Sequence, residues 1–230
     1  MLFMPFDELY LILVLPALLF SMWAQHQVTS TFNRFSSQRT INGLTGAAAA
    51  REVLRRAGVT GVSIERVKGN LTDHYDPRTN VIRLSDSVHD TASVAAVGVA
   101  AHEAGHALQY AAKYTPIKLR AAIIPITNIG SKLAIPLVIV GLLFEMTGLI
   151  NIGILLFSAV VIFQLITLPV EFNASRRAIK TLEASNMLSI NEIPGAKKVL
   201  SAAALTYVGA LVVSVAQLIR FIAIAGRRRR

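Results

Sequence analysis

The 230-residue chain contains no cysteine. Disulfides and thiolate metal sites are therefore excluded, and any zinc must be held by histidine and carboxylate alone. Acidic residues are also scarce, 13 Asp and Glu against 23 Lys and Arg, for a net charge of +10, and no aspartate follows Asp90. Charged residues make up only 16% of the chain and hydrophobic ones 53%. Such a composition is too apolar for an ordinary soluble domain and points to a multi-pass membrane protein with one modest soluble part. The basic residues are scattered around apolar segments, where anionic headgroups of the lipid bilayer and control of orientation account for them. Nucleic-acid binding is not expected.

The apolar runs divide the chain. Residues 1–24 read as an N-terminal transmembrane helix, with Leu9 to Ala24 as its apolar stretch and Trp23 at an interfacial position. Asp7 and Glu8 precede this stretch where a secretory signal would carry basic residues, so the helix is expected to stay attached. Residues 25–116 form the only part polar enough for a soluble lobe. Within it Thr45 is placed to cap a helix that Gly58 stops, and β-like runs cover Val62 to Val67, Leu71 to Tyr75 and Asn80 to Leu84. A helix then follows from about Asp90, a possible N-cap, to Tyr110. Residues 117–170 are long enough for two transmembrane helices, with Glu145-Met146-Thr147-Gly148 and Asn151-Ile152-Gly153 as turn candidates. A polar segment, 171–200, comes next. Residues 201–230 read as a C-terminal hydrophobic helix, interrupted by Arg220, with the basic tail Arg227 to Arg230. The expected class is a mainly α membrane protein of about four transmembrane helices, with a small α+β lobe made of a short β-sheet and one motif helix.

That motif is His102-Glu103-Ala104-Gly105-His106, an H-E-x-x-H string. Helical residues four apart share a face, so both imidazoles can reach one metal while Glu103 stays close enough to handle that metal's water. Val94, Val97, Ala101 and Leu108 form an apolar stripe for packing. Gly98 and Gly105 are expected on the histidine side, where small side chains would leave space for a metal and a substrate backbone. A catalytic zinc usually takes three protein ligands, so a third must come from elsewhere. The later candidates are Glu145, Glu171, Glu183 and Glu192. Glu145 falls in the hairpin on the far side of the membrane, and Glu183 and Glu192 in the looser polar stretch. Glu171 is best placed, where the third spanning helix leaves the bilayer. The alternative reading makes it a boundary carboxylate paired with Arg176 or Arg177.

Two stretches, Ala100-Ala101-His102-Glu103-Ala104-Gly105-His106-Ala107-Leu108-Gln109 and Leu168-Pro169-Val170-Glu171-Phe172-Asn173-Ala174-Ser175-Arg176-Arg177-Ala178, resemble the YugP-type neutral zinc metallopeptidases of bacterial membranes. Asp73 to Asp90 and Ala202 to Val208 share that resemblance, which thus extends over nearly the whole chain. It implies a membrane peptidase with one Zn2+ per chain on His102, His106 and Glu171. More distantly the layout is similar to HtpX-like membrane proteases, whose E-x-x-x-D motif supplies a third ligand and an aspartate behind the first histidine. Here Ser175 stands in the place of that aspartate, leaving Asn173 or Ser175 to orient the histidine.

The expected chemistry is hydrolysis of a peptide or membrane-protein substrate by a zinc-activated water, with Glu103 as general base. An extended substrate is expected to add as a strand beside Asn80 to Leu84, touching Asn80, Val81 and Ile82. His74, His89, Tyr75 and Tyr207 are candidates for stabilising the oxyanion. Two other classes compete. Thr91 to Ala112 has no acidic or basic residue other than Glu103 and the two histidines, as an intramembrane protease of the site-2 type would require, but the later intramembrane aspartate of such enzymes is missing. A non-enzymatic membrane scaffold would use the His pair structurally. Arg34, Arg39, Lys113, Lys118, Arg120, Arg176, Arg177, Lys180, Lys197 and Lys198 all fall on the catalytic side, which is therefore expected to be cytoplasmic.

Overall fold

The computed structural model describes residues 7–227; the start of the expected first segment and arginines 228–230 of the basic tail lie outside the described residues. A π-helical turn, Tyr10–Val14, leads into α1 (Leu15–Ser36). The chain continues through α2 (Gly46–Arg56), β1 (Ser63–Val67), β2 (His74–Asp76), β3 (Val81–Ser85) and α3 (Val94–Ala111). It ends in three long helices, α4 (Thr115–Leu143), α5 (Thr147–Ala184) and α6 (Ile193–Arg227). Four stretches among the described residues are long and apolar enough to cross a membrane: Tyr10–Ser36, Thr115–Leu143, Thr147–Ala184 and Ile193–Gly226. The protein is thus mainly helical, with four candidate spans and a single small sheet.

Two compact units divide the chain. The spanning unit contains the residues up to Ala24, Lys118–Leu168, and those from Leu205 onward. Its helices bury two apolar clusters, one around Val138, Ile150, Phe157 and Phe221 and a smaller one at Val14, Ala17 and Ala216. The α4–α5 hairpin turns at Glu145, whose φ of 57° is the left-handed conformation a tight reversal needs. The second turn candidate, Asn151-Ile152-Gly153, is helical instead. A Cβ on Gly153 would lie 2.8 Å from the Ala134 carbonyl oxygen, so this glycine lets two helices approach rather than letting the chain turn. Arg220 does not break α6. It is 4% exposed, donates from Nε to both oxygens of Asp7 at 3.1 and 3.3 Å, and stands over the Tyr10 ring.

The motif unit comprises Gln25–Ile117 and Pro169–Ala204. Thr45 caps α2, its side chain accepting from the Ala48 amide, and Gly58, at φ +66°, follows the helix end. The cap of α3 is Ser93, not Asp90: its hydroxyl accepts from the Ala96 amide at 3.2 Å, while Asp90 pairs with Arg66 and His89. α3 lies at the centre of the unit's core. Alanines and valines on it are buried together with Val53 and Leu54 of α2, Ile82 and Leu84 of β3, Ala178 and Leu182 of α5, and Ala196 and Leu200 of α6. Fully burying each of the larger aliphatic side chains contributes about 1.5–3 kcal/mol.

Two expectations about this unit are corrected. The polar segment after Val170 is not loose: α5 runs on through Glu171 to Ala184, and α6 starts at Ile193 rather than near Ala202. The sheet has the order β1-β3-β2, with β1 parallel and β2 antiparallel to β3. β3 is therefore central. Val81 and Ile82 pair with Ser63 and Ile64 on one side and with Asp76 and Tyr75 on the other, and the Asn80 carbonyl accepts from the Ser63 amide. A substrate strand cannot join an edge that neighbours already occupy, so Asn80, Val81 and Ile82 are structural.

The Asp7–Arg220 pair yields a test. Replacing Arg220 by Leu leaves the part-buried Asp7 carboxylate with the Tyr10 amide but without its ion-pair partner and should cost about 1–3 kcal/mol, read as a lower melting temperature in detergent. The double replacement of Asp7 and Arg220 by Leu should recover most of that loss.

Candidate metal centre

Serine-capped and alanine-rich, α3 is an uninterrupted helix, and it places His102 and His106 one turn apart with ring centroids 4.7 Å from each other. α5 brings Glu171 against them. Glu171 Oε2 lies 3.2 Å from His102 Nε2 and 3.5 Å from His106 Nε2, and the three residues offer donor atoms that all lie within 4.8 Å of one another. Donor atoms around a tetrahedral zinc with bonds near 2.05 Å are separated by about 3.3 Å, so the spacing fits that ion. Two imidazoles and one carboxylate are also a borderline donor set of the kind zinc accepts. Among the described residues this is the one group of histidine and acidic side chains that meets the spacing for a metal.

The electrostatics favour a cation. Glu171 is 2% exposed. Burial by itself would pull the His106 pKa down, but the hydrogen bond with Glu171 and the charges of Glu103 and Glu171 together hold it above the ordinary histidine value. Glu103 is buried beside the imidazoles, and no hydrogen bond among the described residues engages its carboxylate.

Each imidazole is held from behind. Ser175 Oγ lies 3.1 Å from His102 Nδ1, so of the two candidates it is Ser175 that touches the first histidine. Asn173 instead accepts from Gln109 Nε2 at 3.0 Å and from Arg177 Nε at 2.8 Å. Gln109 Oε1 in turn lies 3.0 Å from His106 Nδ1. Sequence reasoning missed Gln109; the available signal was an amide three residues beyond His106, hence on the same helical face, inside an otherwise apolar run. It also missed Asp73, whose carboxylate accepts from the Ser85 amide at 2.7 Å and from its hydroxyl. Burial pushes the Asp73 pKa up, the Ser85 hydrogen bonds oppose this, and the charge of Glu103 adds to the rise.

The glycines do something other than expected. A Cβ on Gly98 would meet Ala196 of α6 at 3.5 Å, and one on Gly105 would lie 2.6 Å from the Ala174 carbonyl oxygen of α5. Gly105 leaves room for the neighbouring helix, not for a substrate, whereas a methyl group on Gly98 would make ordinary van der Waals contact with α6. The other glutamates considered as ligands are committed elsewhere: Glu145 to the α4–α5 turn, Glu183 to an ion pair with Lys197, and Glu192 to the amides of Ile41 and Ser189. Of the oxyanion candidates, Tyr75 donates its hydroxyl to Asn80 Oδ1, His74 Nδ1 faces the Thr72 carbonyl and His89 Nδ1 faces Asp90. Tyr207 belongs to the spanning unit. α3 is not among the four stretches long and apolar enough to cross a membrane.

With this geometry in hand, comparison with known proteins is decisive for the family. Residues 10–226 match the family described as "Putative neutral zinc metallopeptidase". The chain belongs to that family. It is also 48% identical over 216 residues to the "Putative membrane protease YugP" of Bacillus subtilis (strain 168), covering 94% of this chain and 96% of that protein. No solved structure matches. A zinc metallopeptidase family, a His-His-Glu group of zinc spacing and four apolar helices agree with one another, as expected of a multi-pass membrane protein with a metal site.

Gly105 provides a structural test of the centre. Gly105→Ala forces a methyl group into the Ala174 backbone, an overpacking that costs about 1–3 kcal/mol. It should displace α5 and with it Glu171. Elemental analysis of the purified variant is expected to show zinc well below the wild-type stoichiometry.

Proposed function

We propose that the protein is a membrane-embedded zinc endopeptidase that binds one Zn2+ per chain through His102, His106 and Glu171 and uses Glu103 as general base. The observation that carries this reading is the approach of Glu171 Oε2 to both Nε2 atoms, from a helix far away in the chain. A zinc ion in such a site acts as a Lewis acid and lowers the pKa of water toward neutrality. The protein's own part is positional and acid–base. Glu103 follows His102 directly, so its carboxylate projects about 100° round the helix from that histidine and beside the pair. There it takes the proton of the attacking water and passes it to the departing amine nitrogen of the cleaved peptide bond. Ser175 restrains the ring of His102 from the Nδ1 side, keeping Nε2 directed at the shared centre.

The substrate class is a peptide or an accessible segment of a membrane protein, in keeping with the membrane-protease description of the relative. The motif unit faces the cytoplasm in this reading, because the basic residues next to the spans accumulate on its side.

The roles separate cleanly by mutation. Glu103→Gln should retain zinc and reduce hydrolysis of a casein-type substrate by about 10²–10⁴-fold, whereas Glu171→Ala should lose the metal. Full turnover in the Gln variant would overturn the mechanism, and unchanged zinc in the Ala variant would overturn the ligand assignment. Because the chain has no cysteine of its own, orientation can be read with single cysteines. In intact cells a membrane-impermeant thiol reagent should label Phe144→Cys in the hairpin and spare Ile190→Cys, both at well-exposed positions. The reverse pattern would place the motif unit outside.

A further inference from the structure

Gln109 is completely buried, at 0% exposure, in a helix whose buried positions are otherwise apolar except for Glu103. Burying a primary amide is costly unless its donors and acceptor are all satisfied. Here they are. Nε2 donates to the Val170 carbonyl at 2.7 Å and to Asn173 Oδ1 at 3.0 Å, and Oε1 faces His106 Nδ1 at 3.0 Å. Which end of the amide faces which neighbour follows from the chemistry of the groups at the edge of the network. A backbone carbonyl can only accept, so the NH2 group must point at Val170. The Arg177 Nε–H can only donate, at 2.8 Å, so Asn173 must present its oxygen there, and that same oxygen receives the second Gln109 hydrogen. Gln109 Oε1 is thereby left facing His106, and an amide oxygen accepts only.

We propose that Gln109 is a positioning residue that fixes the tautomer of His106 and ties that imidazole to the helix carrying Glu171. With Oε1 as an obligate acceptor, His106 keeps a hydrogen on Nδ1, which leaves Nε2, 3.5 Å from Glu171 Oε2, as the nitrogen available to a metal. Ser175 does not impose this on His102, because a hydroxyl can either donate or accept. The determinant of proton placement therefore sits behind the second histidine. The same amide bonds to α5 on both sides of Glu171, at Val170 and Asn173, so the ligand on α3 and the ligand on α5 are registered by one side chain.

The inference rests on His106 and Glu171 being metal ligands, and its tests are chosen to separate the two failures. Zinc affinity is measured by chelator competition on the detergent-purified full chain, with the visible spectrum of the Co2+-substituted protein as a report on ligand geometry. Gln109→Met keeps the volume and removes the acceptor; it should bind zinc about 10–100-fold more weakly and alter the Co2+ spectrum. Gln109→Glu keeps an acceptor toward Nδ1 and should retain more affinity than the Met variant. A Met variant that binds zinc like the wild type, or equal losses in the Met and Glu variants, would overturn the proposal while leaving the ligands in place. Absence of zinc binding by the wild type would instead overturn the ligand assignment. Should the Met variant fail to fold, ¹⁵N chemical shifts of His106 in the metal-free wild type still decide: a hydrogen is expected on Nδ1, and an Nδ1 that carries none refutes the role of Gln109.

Discussion

Two helices from distant parts of the chain have to lie nearly backbone to backbone for their side chains to share one ion, and the contact that permits this is Gly105 of α3 against Ala174 of α5. A carboxylate on a helix reaches only a few ångströms from its axis, and typical helix pairs stand 8–10 Å apart. Small residues at the crossing close that gap. Once closed, it sets the distances of Glu171 to both imidazoles, the hydrogen bond between Ser175 and His102 and the bonds of the Gln109 amide to Val170 and Asn173, all of which cross between the same two helices.

The charge arrangement follows from that contact. A buried glutamate is tolerable only with compensating partners, and Glu171 finds two imidazoles. Glu103 adds a second negative charge beside the histidines, and its influence extends to His106 and Asp73, both of which hold protons more tightly than usual. The negative charges of Glu103 and Glu171 beside the imidazoles favour a divalent cation, and an ion bound there would oppose separation of α3 from α5. With cysteine absent from the chain, such an ion meets only nitrogen and oxygen donors, which suits hydrolytic chemistry at an open coordination position better than a closed structural site.

Much of this was readable from residue order because it depends on local periodicity. The spans are long apolar runs, the histidines sit at helical spacing, and Glu171 stands where apolar sequence gives way to polar. Other features depend on competition between equally good local choices. Asp90 and Ser93 are both acceptable caps; Ser93 takes the role because its backbone bridges to Arg39 and the Val94 amide bonds to the Gln38 carbonyl, contacts made by a segment more than fifty residues earlier. Gly105 and Gly153 look alike as small residues that open space or break helices, and only the neighbouring helix shows that both serve close packing. The run Asn80 to Leu84 has strand composition, but composition carries no sign of whether a strand is central or at an edge.

By itself, the sequence determined the apolar helices long enough to span a membrane and the pairing of His102 with His106 on one helical face, since helix geometry and hydropathy act over a few residues. Tertiary structure alone decided that β3 lies between two strands and that Glu192 holds loop amides rather than metal. It likewise decided that Gln109 stands behind His106 and bonds to α5. The physical reason is that hydrogen bonds and close contacts between residues distant in the chain exist only after the backbone has closed on itself, and no local pattern encodes which partner will be there.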